Sequence, residues 1–347
     1  MLWFVGLGLS GIESISIETQ KLLKNADVVY LEQFTSPISK SELAKIKKIV
    51  KGEFKIGKRW IVEDGKEILN NSKKKKVLLL TYGDPYIATT HIELRTRAIQ
   101  NKIKTNTIHA ASSITALVGE CGLHYYKVGR IVTVMNDLKS MTTPYYAIYE
   151  NALAGYHTIL LLEYNQDAKF FFEPLDALSD LIETEKEQKR KVISPSTFAI
   201  IASRIGFKNQ AITAGKISNL MKKSFGKPPH TIIIPGNLHF TESDALKVLA
   251  ECIDVPFDNS KNIKKISNQM LEKYVPMVRK ALEEISPHYK NSKEFQDVLE
   301  NAELYIKDAE KFLEEGKDEV AILSIGYADG LVDALRIAKG LEPRISL

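Results

Sequence analysis

The sequence predicts an α/β protein of two successive α/β subdomains, followed by a small α-helical bundle. Three observations carry this. Through the first 240 residues, short apolar runs alternate with helical patterns, giving ten strand candidates in two groups of five. Several runs, such as Val77-Leu-Leu-Leu-Thr81, Ile159-Leu-Leu-Leu-Glu163 and Ile232-Ile-Ile-Pro235, are apolar on both faces, the signature of strands covered by helices on either side. After about residue 257, apolar residues recur at spacings of three and four, the helical period. A chain of 347 residues is also long enough for more than one core.

The first strand series is Leu2–Gly6, Asp27–Glu32, Glu53–Gly57, Val77–Tyr82 and Thr105–His109, with helical stretches near 15–25, 40–50, 89–101 and 113–121. The second is Arg130–Met135, Thr158–Tyr164, Phe198–Arg204, Gln210–Lys216 and His230–Pro235, with helices near 144–154, 174–188 and 218–225. Thr90-His-Ile-Glu93 reads as a capping box, and Pro144 and Pro174 suit a first helical turn, where a missing N–H is no loss. Ser113 is expected to cap its helix. Lys73–Lys76 reads as a solvated turn before a strand. In the tail, Ile263, Ile266, Met270, Leu271 and Tyr274 share one helical face, Phe295 to Leu313 a second, and Leu323, Tyr327, Leu331, Leu335 and Ala338 a third. Pro276 is expected to end or kink the first of these helices. The boundaries follow: subdomains 1–122 and 123–250, a linker 251–262 containing Asn259-Ser-Lys-Asn262, and the bundle 263–347.

Composition excludes several classes. The chain is 44% hydrophobic and 26% charged, ordinary for a folded protein. No run approaches the ~18–20 apolar residues that span a bilayer. The apolar N-terminus breaks at glycines and lacks a basic leader, so it reads as a buried strand and not as a signal peptide. Cys121 and Cys252 have no Cys-x-x-Cys partner, which argues against a disulfide scaffold or zinc cluster and suits a reducing cytoplasm. The histidines His109, His157 and His239 flank strands without the spacing of a metal site, so no metal is expected. Net charge is +5, with 33 basic and 22 acidic residues in 1–240 against 15 and 21 in 241–347. This asymmetry marks a boundary near 240–260 or a basic working surface.

Two stretches could carry chemistry. Gly6-Leu-Gly-Leu-Ser-Gly11 follows a strand and matches G-x-G-x-x-G, with Glu32 at the end of the next strand as the acid of a dinucleotide fingerprint. Its bulky spacers and the Ile12-Glu-Ser-Ile-Ser16 continuation put the helix start several residues late, which favours a plain tight turn near a site. The second stretch, Thr81 to His91, follows the all-apolar strand Val77–Leu80 at the end where open α/β sheets bind ligands. There Gly83 admits close approach and Pro85 stiffens the turn, while Asp84 either contacts a ligand or braces the loop.

Gly6-Leu-Gly-Leu9, Tyr82-Gly-Asp-Pro85 with Ala88-Thr-Thr-His91, Ser113-Ile114 after a strand and Lys227-Pro-Pro-His230 before the last strand occur in colinear order. Together they resemble the tetrapyrrole-methylase superfamily over residues 1 to about 245. The Ala-Thr-Thr-His extension, Gly122-Leu-His124 and Pro-Pro-His resemble its diphthine synthase family. The resemblance implies S-adenosyl-L-methionine bent in a cleft between the two subdomains. It also implies repeated methylation of the amino group on a modified histidine of translation elongation factor 2, and a cytoplasmic homodimer with no membrane or nucleic-acid partner. By position it implies cofactor contacts at Leu9, Asp84, Ile87, Ser113, Ile114, Leu162, Ile205 and His230. Ile205 is placed by spacing back from His230, and one extra residue around Ala111-Ser112 leaves open which serine is meant. In the tail, Tyr305-Ile-Lys-Asp-Ala309 and Gly326-Tyr-Ala-Asp-Gly330 resemble a small archaeal helical domain of unknown function.

Methyl transfer from a sulfonium is an in-line displacement that needs alignment and exclusion of water, with no metal or covalent nucleophile. The amine must lose its proton first, and Glu32, Tyr82, Glu163 and His230 are all candidates to assist. Tyr125 and Tyr126 suit a subdomain join or a dimer contact. Two other readings compete: a methylase of the same fold acting on a tetrapyrrole or ribosomal RNA, and a basic RNA- or ribosome-binding module resting on the +11 region.

Overall fold

The structure is a computed structural model and describes residues 1–35, 38–165, 169–259, 263 and 265–343. The chain divides into two compact units, Met1–Ile263 and Lys264–Leu347. The first unit opens with β1 (Leu2–Gly6), α1 (Ile17–Asn25), β2 (Val28–Glu32), α2 (Lys40–Ile49), β3 (Glu53–Gly57), α3 (Arg59–Asp64), α4 (Lys66–Lys74), β4 (Val77–Thr81), α5 (His91–Gln100), β5 (Thr105–Ile108) and α6 (Ser113–Glu120). The strands form one parallel sheet in the order β3-β2-β4-β1-β5. The doubly apolar strands behave as the pattern requires. Val77 and Leu79 of β4 pack with Ile68, Leu94 and Ala98 on one face, while Leu78 and Leu80 pack with Leu22, Leu23 and Ile46 on the other.

The second half continues with β6 (Val132–Val134), α7 (Thr142–Leu153), β7 (Thr158–Leu162), β8 (Tyr164–Asn165), β9 (Phe170–Phe171), α8 (Pro174–Gln188), β10 (Phe198–Ser203), β11 (Ala211–Lys216), α9 (Ile217–Leu220), β12 (His230–Ile234), α10 (Phe240–Leu249) and β13 (Glu251–Cys252). Its six-stranded sheet, β13-β11-β10-β12-β7-β6, is mixed, with β10 antiparallel to both neighbours. β8 and β9 form a separate two-stranded ribbon, where Tyr164 stacks on Phe171 at 4.6 Å.

Several expectations need correction. Helix α6 was expected in the first subdomain, but its Ile114, Leu117 and Val118 pack with Ile159, Phe198 and Ile200 of the second sheet. The stretch expected as a linker from 251 starts as a strand, because Cys252 pairs with Ala214, and Asn259 bonds both the N–H and the carbonyl of Phe198. Residues 260–262 of that linker lie outside the described residues. Ile263, expected to open the bundle, packs on the core of the second sheet. Lys73 and Lys74 close α4 instead of forming a turn, since Ile68 and Leu69 bury one face of that lysine-rich helix. Thr90 is an N-cap with no side-chain cap bond, and a true capping box forms at His239 and Glu242. Ser112, not Ser113, caps α6, its hydroxyl accepting from the N–H of Ile114.

Among its described residues the second unit has three α-helices, α11 (Ile266–Ile285), α12 (Lys293–Glu314) and α13 (Asp318–Ala338). Small residues, Ala302 and Ala309 of α12 and Ala321 and Ala328 of α13, are fully buried and let these helices approach closely. Pro276 does not end α11. The flanking Leu271, Val275 and Val278 are buried and hold the helix across the missing N–H. The third stripe is misphased: Leu323 and Tyr327 are exposed, and the buried face of α13 runs through Ala321, Ile325, Ala328, Val332 and Leu335. No helix among the described residues is long and apolar enough to cross a membrane.

Candidate active site

β1 and β4 lie side by side in parallel where the strand order of the first sheet reverses, so the loops leaving their C-terminal ends meet at one edge of the sheet. The two loops are tied together by mutual backbone bonds between Gly8 and Gly83. The approach requires glycine. A Cβ on Gly6 would stand 2.6 Å from the carbonyl oxygen of Gly83, and Gly83 itself has φ +70°. Beyond Gly83, the Asp84 carboxylate is spent largely on the protein. Its Oδ1 accepts from the N–H of Tyr86 at 2.9 Å, and its Oδ2 pairs with His109 Nδ1 at 2.7 Å and accepts from the N–H of Ala110. This bracing pins the Gly83–Pro85 turn to the end of β5.

The facing wall comes from the second sheet. Because β12 runs antiparallel to β7 and β10, the start of β12 lies beside their C-terminal ends, with His230 opposite Ser203 and Thr231 opposite Leu161. The Leu162–Glu163, Arg204–Gly206 and Pro228–His230 segments therefore gather at one edge. The walls meet where Leu9 lies against Gly206, whose position leaves no room for a Cβ.

Between the walls is a cavity of about 1480 Å³, lined by Leu9, Asp84, Ile87, Ser113, Ile114, Leu162, Ile205 and His230 among others. The structure thus brings every sequence-predicted contact to one cleft. Of the proton-handling candidates, Tyr82, Glu163 and His230 line it, and Glu32 does not. Both Glu32 oxygens are taken by the N–H and hydroxyl of Thr35 at 2.6 Å, and burial pushes its carboxyl up. Burial and then the nearby Glu42 push the Tyr82 phenol up, so it keeps its proton at neutral pH. Glu163 accepts from the N–H of Asn136 through Oε2. His230 is buried; its Nε2 donates to the carbonyl of Phe225 at 3.3 Å, and its Nδ1 is buried without a hydrogen-bond partner.

Sequence reasoning missed most of the cationic lining, Lys45, Lys58, Arg59, Arg204 and Lys208, because the lysines and arginines of the chain look evenly scattered until it folds. It also missed a polar knot. Glu242 of α10, fully buried, bonds Lys127 Nζ at 2.6 Å, His157 Nε2 at 2.9 Å and the N–H groups of His124 and His239 at 2.8 Å.

A family profile described as tetrapyrrole (corrin/porphyrin) methylases matches residues 1–221, and one described as a protein of unknown function (DUF357) matches 273–341. The chain is 35% identical over 258 residues to the diphthine synthase of Methanocaldococcus jannaschii, covering 73% of this chain and 100% of that protein. It is 34% identical over 256 residues to the diphthine synthase of Methanococcus vannielii, again covering 73% and 100%. A solved structure described as a diphthine synthase superposes with a TM-score of 0.64 at 31% identity, covering 72% of this chain and 96% of the other.

Proposed function

We propose the following reaction from the premise that this chain belongs to the diphthine synthase family of tetrapyrrole methylases. The protein is a methyltransferase of diphthamide biosynthesis, S-adenosylmethionine is its methyl donor, and the acceptor is the amino group of the modified histidine on translation elongation factor 2. The observation that carries the reading is the single cleft shared by the Gly83–Pro85 turn and the Pro229–His230 corner. Its residues suit the donor. Leu9, Ile87, Ile114, Leu162 and Ile205 offer an apolar lining, and His230 Nδ1 is buried with no hydrogen-bond partner, with Glu173 Oε2 3.9 Å away. Small-molecule sites occupy roughly 300–1,000 Å³, so the cleft has room for a donor and an incoming side chain together.

When bound, S-adenosylmethionine supplies an electrophilic methyl group. The chain's own work is alignment. The braced Asp84 turn and the paired Gly8 and Gly83 form a fixed floor, and the apolar wall keeps water from the reacting atoms. The acceptor ammonium must give up a proton before each transfer. Of the four candidates, Tyr82 stays protonated and Glu32 is outside the cleft, which leaves the Glu163 carboxylate and the unpartnered Nδ1 of His230 to receive it. Homodimerisation and a cytoplasmic location belong to the same reading.

The test is transfer of labelled methyl from S-adenosylmethionine to elongation factor 2 carrying the unmethylated intermediate, with ribosomal RNA and a corrinoid in parallel. Label on the factor alone supports the reading. Label on RNA or the corrinoid alone supports the competing methylase, and label on none refutes the assignment.

A further inference from the structure

Arg204 directly follows β10, on the cavity wall, with φ +54°, a left-handed conformation costly for any residue but glycine. Its backbone is held there from both sides: its N–H donates to the carbonyl of Pro229 at 2.9 Å, and its own carbonyl accepts from the N–H of Phe207 at 3.0 Å. The side chain is held as firmly. Nε donates to Asn209 Oδ1 at 2.8 Å, Nη1 donates to the carbonyl of Pro228 at 3.1 Å, and the guanidinium lies 4.5 Å from the centre of the Phe207 ring. These partners are an amide, a carbonyl and an aromatic face; none is a carboxylate.

A guanidinium carries five N–H donors, and the bonds above use one on Nε and one on Nη1. The remaining hydrogens lie on Nη1 and Nη2, the fork that matches a carboxylate bidentately. The group is fixed and half-buried, and its charge is unneutralised among these partners. Exposed surface arginines offer no such preorganisation. Lys208 and Lys227 line the same wall and make it electropositive, which favours an anion further.

We propose that Arg204 is the carboxylate anchor of the cleft, its free fork taking the carboxylate of an α-amino acid group. The inference rests on the methyltransferase reading above. In that reaction the methionine end of the donor has this chemistry, and an acceptor whose amino group sits beside a carboxylate would share it.

The test is calorimetry of the full chain and its Arg204→Gln variant with S-adenosylhomocysteine and with 5′-methylthioadenosine, which lacks the amino acid end, alongside kinetics on the protein substrate. Losing a charge-assisted fork weakens binding roughly 10- to 100-fold, and Arg204→Lys, which keeps the charge without the fork, recovers part of the loss. If Arg204→Gln weakens S-adenosylhomocysteine but not 5′-methylthioadenosine, the anchor holds the donor. If S-adenosylhomocysteine is unaffected and KM for the protein substrate rises by that factor with kcat nearly unchanged, the anchor holds the acceptor. Equal weakening of both nucleosides shows that Arg204 only braces the Pro228–Pro229 corner and overturns the proposal, as does no change in binding or KM. Wild-type protein that fails to bind S-adenosylhomocysteine removes the methyltransferase reading and the anchor with it.

Discussion

Replacing Glu242 by Gln tests whether the buried knot holds the second half of the α/β unit together. Each Glu242 oxygen accepts two donors: Oε1 from His157 Nε2 and the N–H of His124, Oε2 from Lys127 Nζ and the N–H of His239. Neither orientation of a glutamine fits. One sets its NH2 against the Lys127 ammonium and the His239 N–H, the other against His157 and His124. His157 cannot adapt by changing tautomer, because its Nδ1 accepts from the N–H of Gly236 at 3.1 Å. The magnitude follows from the carboxyl itself. Burial alone would raise it from its ordinary 4.5, but the Lys127 ammonium, the two backbone N–H groups and His157 outweigh burial and hold it at about 2. That difference is worth about 3 kcal/mol, in line with the ~3–5 kcal/mol lost when one partner of a buried ion pair is removed. Glu242→Gln is expected to lower the melting temperature by roughly 6–12 °C for a unit of this size, read by scanning calorimetry at pH 7. The unfolded chain takes up the proton first, so this stability is present above about pH 4.5 and is lost as the pH falls toward about 2. The variant should lose that part of the pH dependence. A cost below about 1 kcal/mol, or an unchanged acid limb, refutes the reasoning.

Other expectations follow from single residues. His91 is fully buried, its Nδ1–H donating to the carbonyl of Pro85, and burial holds its pKa at about 4 against an ordinary 6.5. The unfolded chain therefore binds a proton first as pH falls, and roughly 3 kcal/mol of stability should disappear between pH 6.5 and 4; urea titrations at several pH values should show this slope vanish in His91→Gln. Ser112→Ala should cost about 1 kcal/mol in the same titration and Ser113→Ala only a few tenths, because only Ser112 caps α6. Glu163→Gln should lower kcat about 100-fold while leaving the affinity for S-adenosylhomocysteine unchanged; an unchanged kcat removes Glu163 from proton transfer.

The strands of the first sheet could be read directly, since runs such as Val77–Leu80 are apolar on both faces and nothing else satisfies them. Helices α4 and α10 could not. The first buries few apolar side chains within a lysine-rich run, and the second leaves Phe240, Val248 and Leu249 exposed, so neither shows a clean stripe. The proposed cofactor contacts rest on a resemblance, because no local pattern tells that Leu9 and Gly206 touch. Arg204 was hidden for a different reason: its left-handed backbone is imposed by Pro229 across the sheet edge and not by the Ser203-Arg204-Ile205 sequence. The Glu242 knot reaches His157 and Lys127, more than 80 positions away in sequence, and His157 and His239 look like isolated strand-flanking residues until the chain folds.

The most direct measurement is an experimental structure of the full chain crystallised with S-adenosylhomocysteine. The account requires the ligand in the cleft between the Gly83–Pro85 turn and the Pro229–His230 corner, in contact with Leu9, Ile114 and Ile205. A ligand bound anywhere else, with that cleft left to solvent, would contradict it.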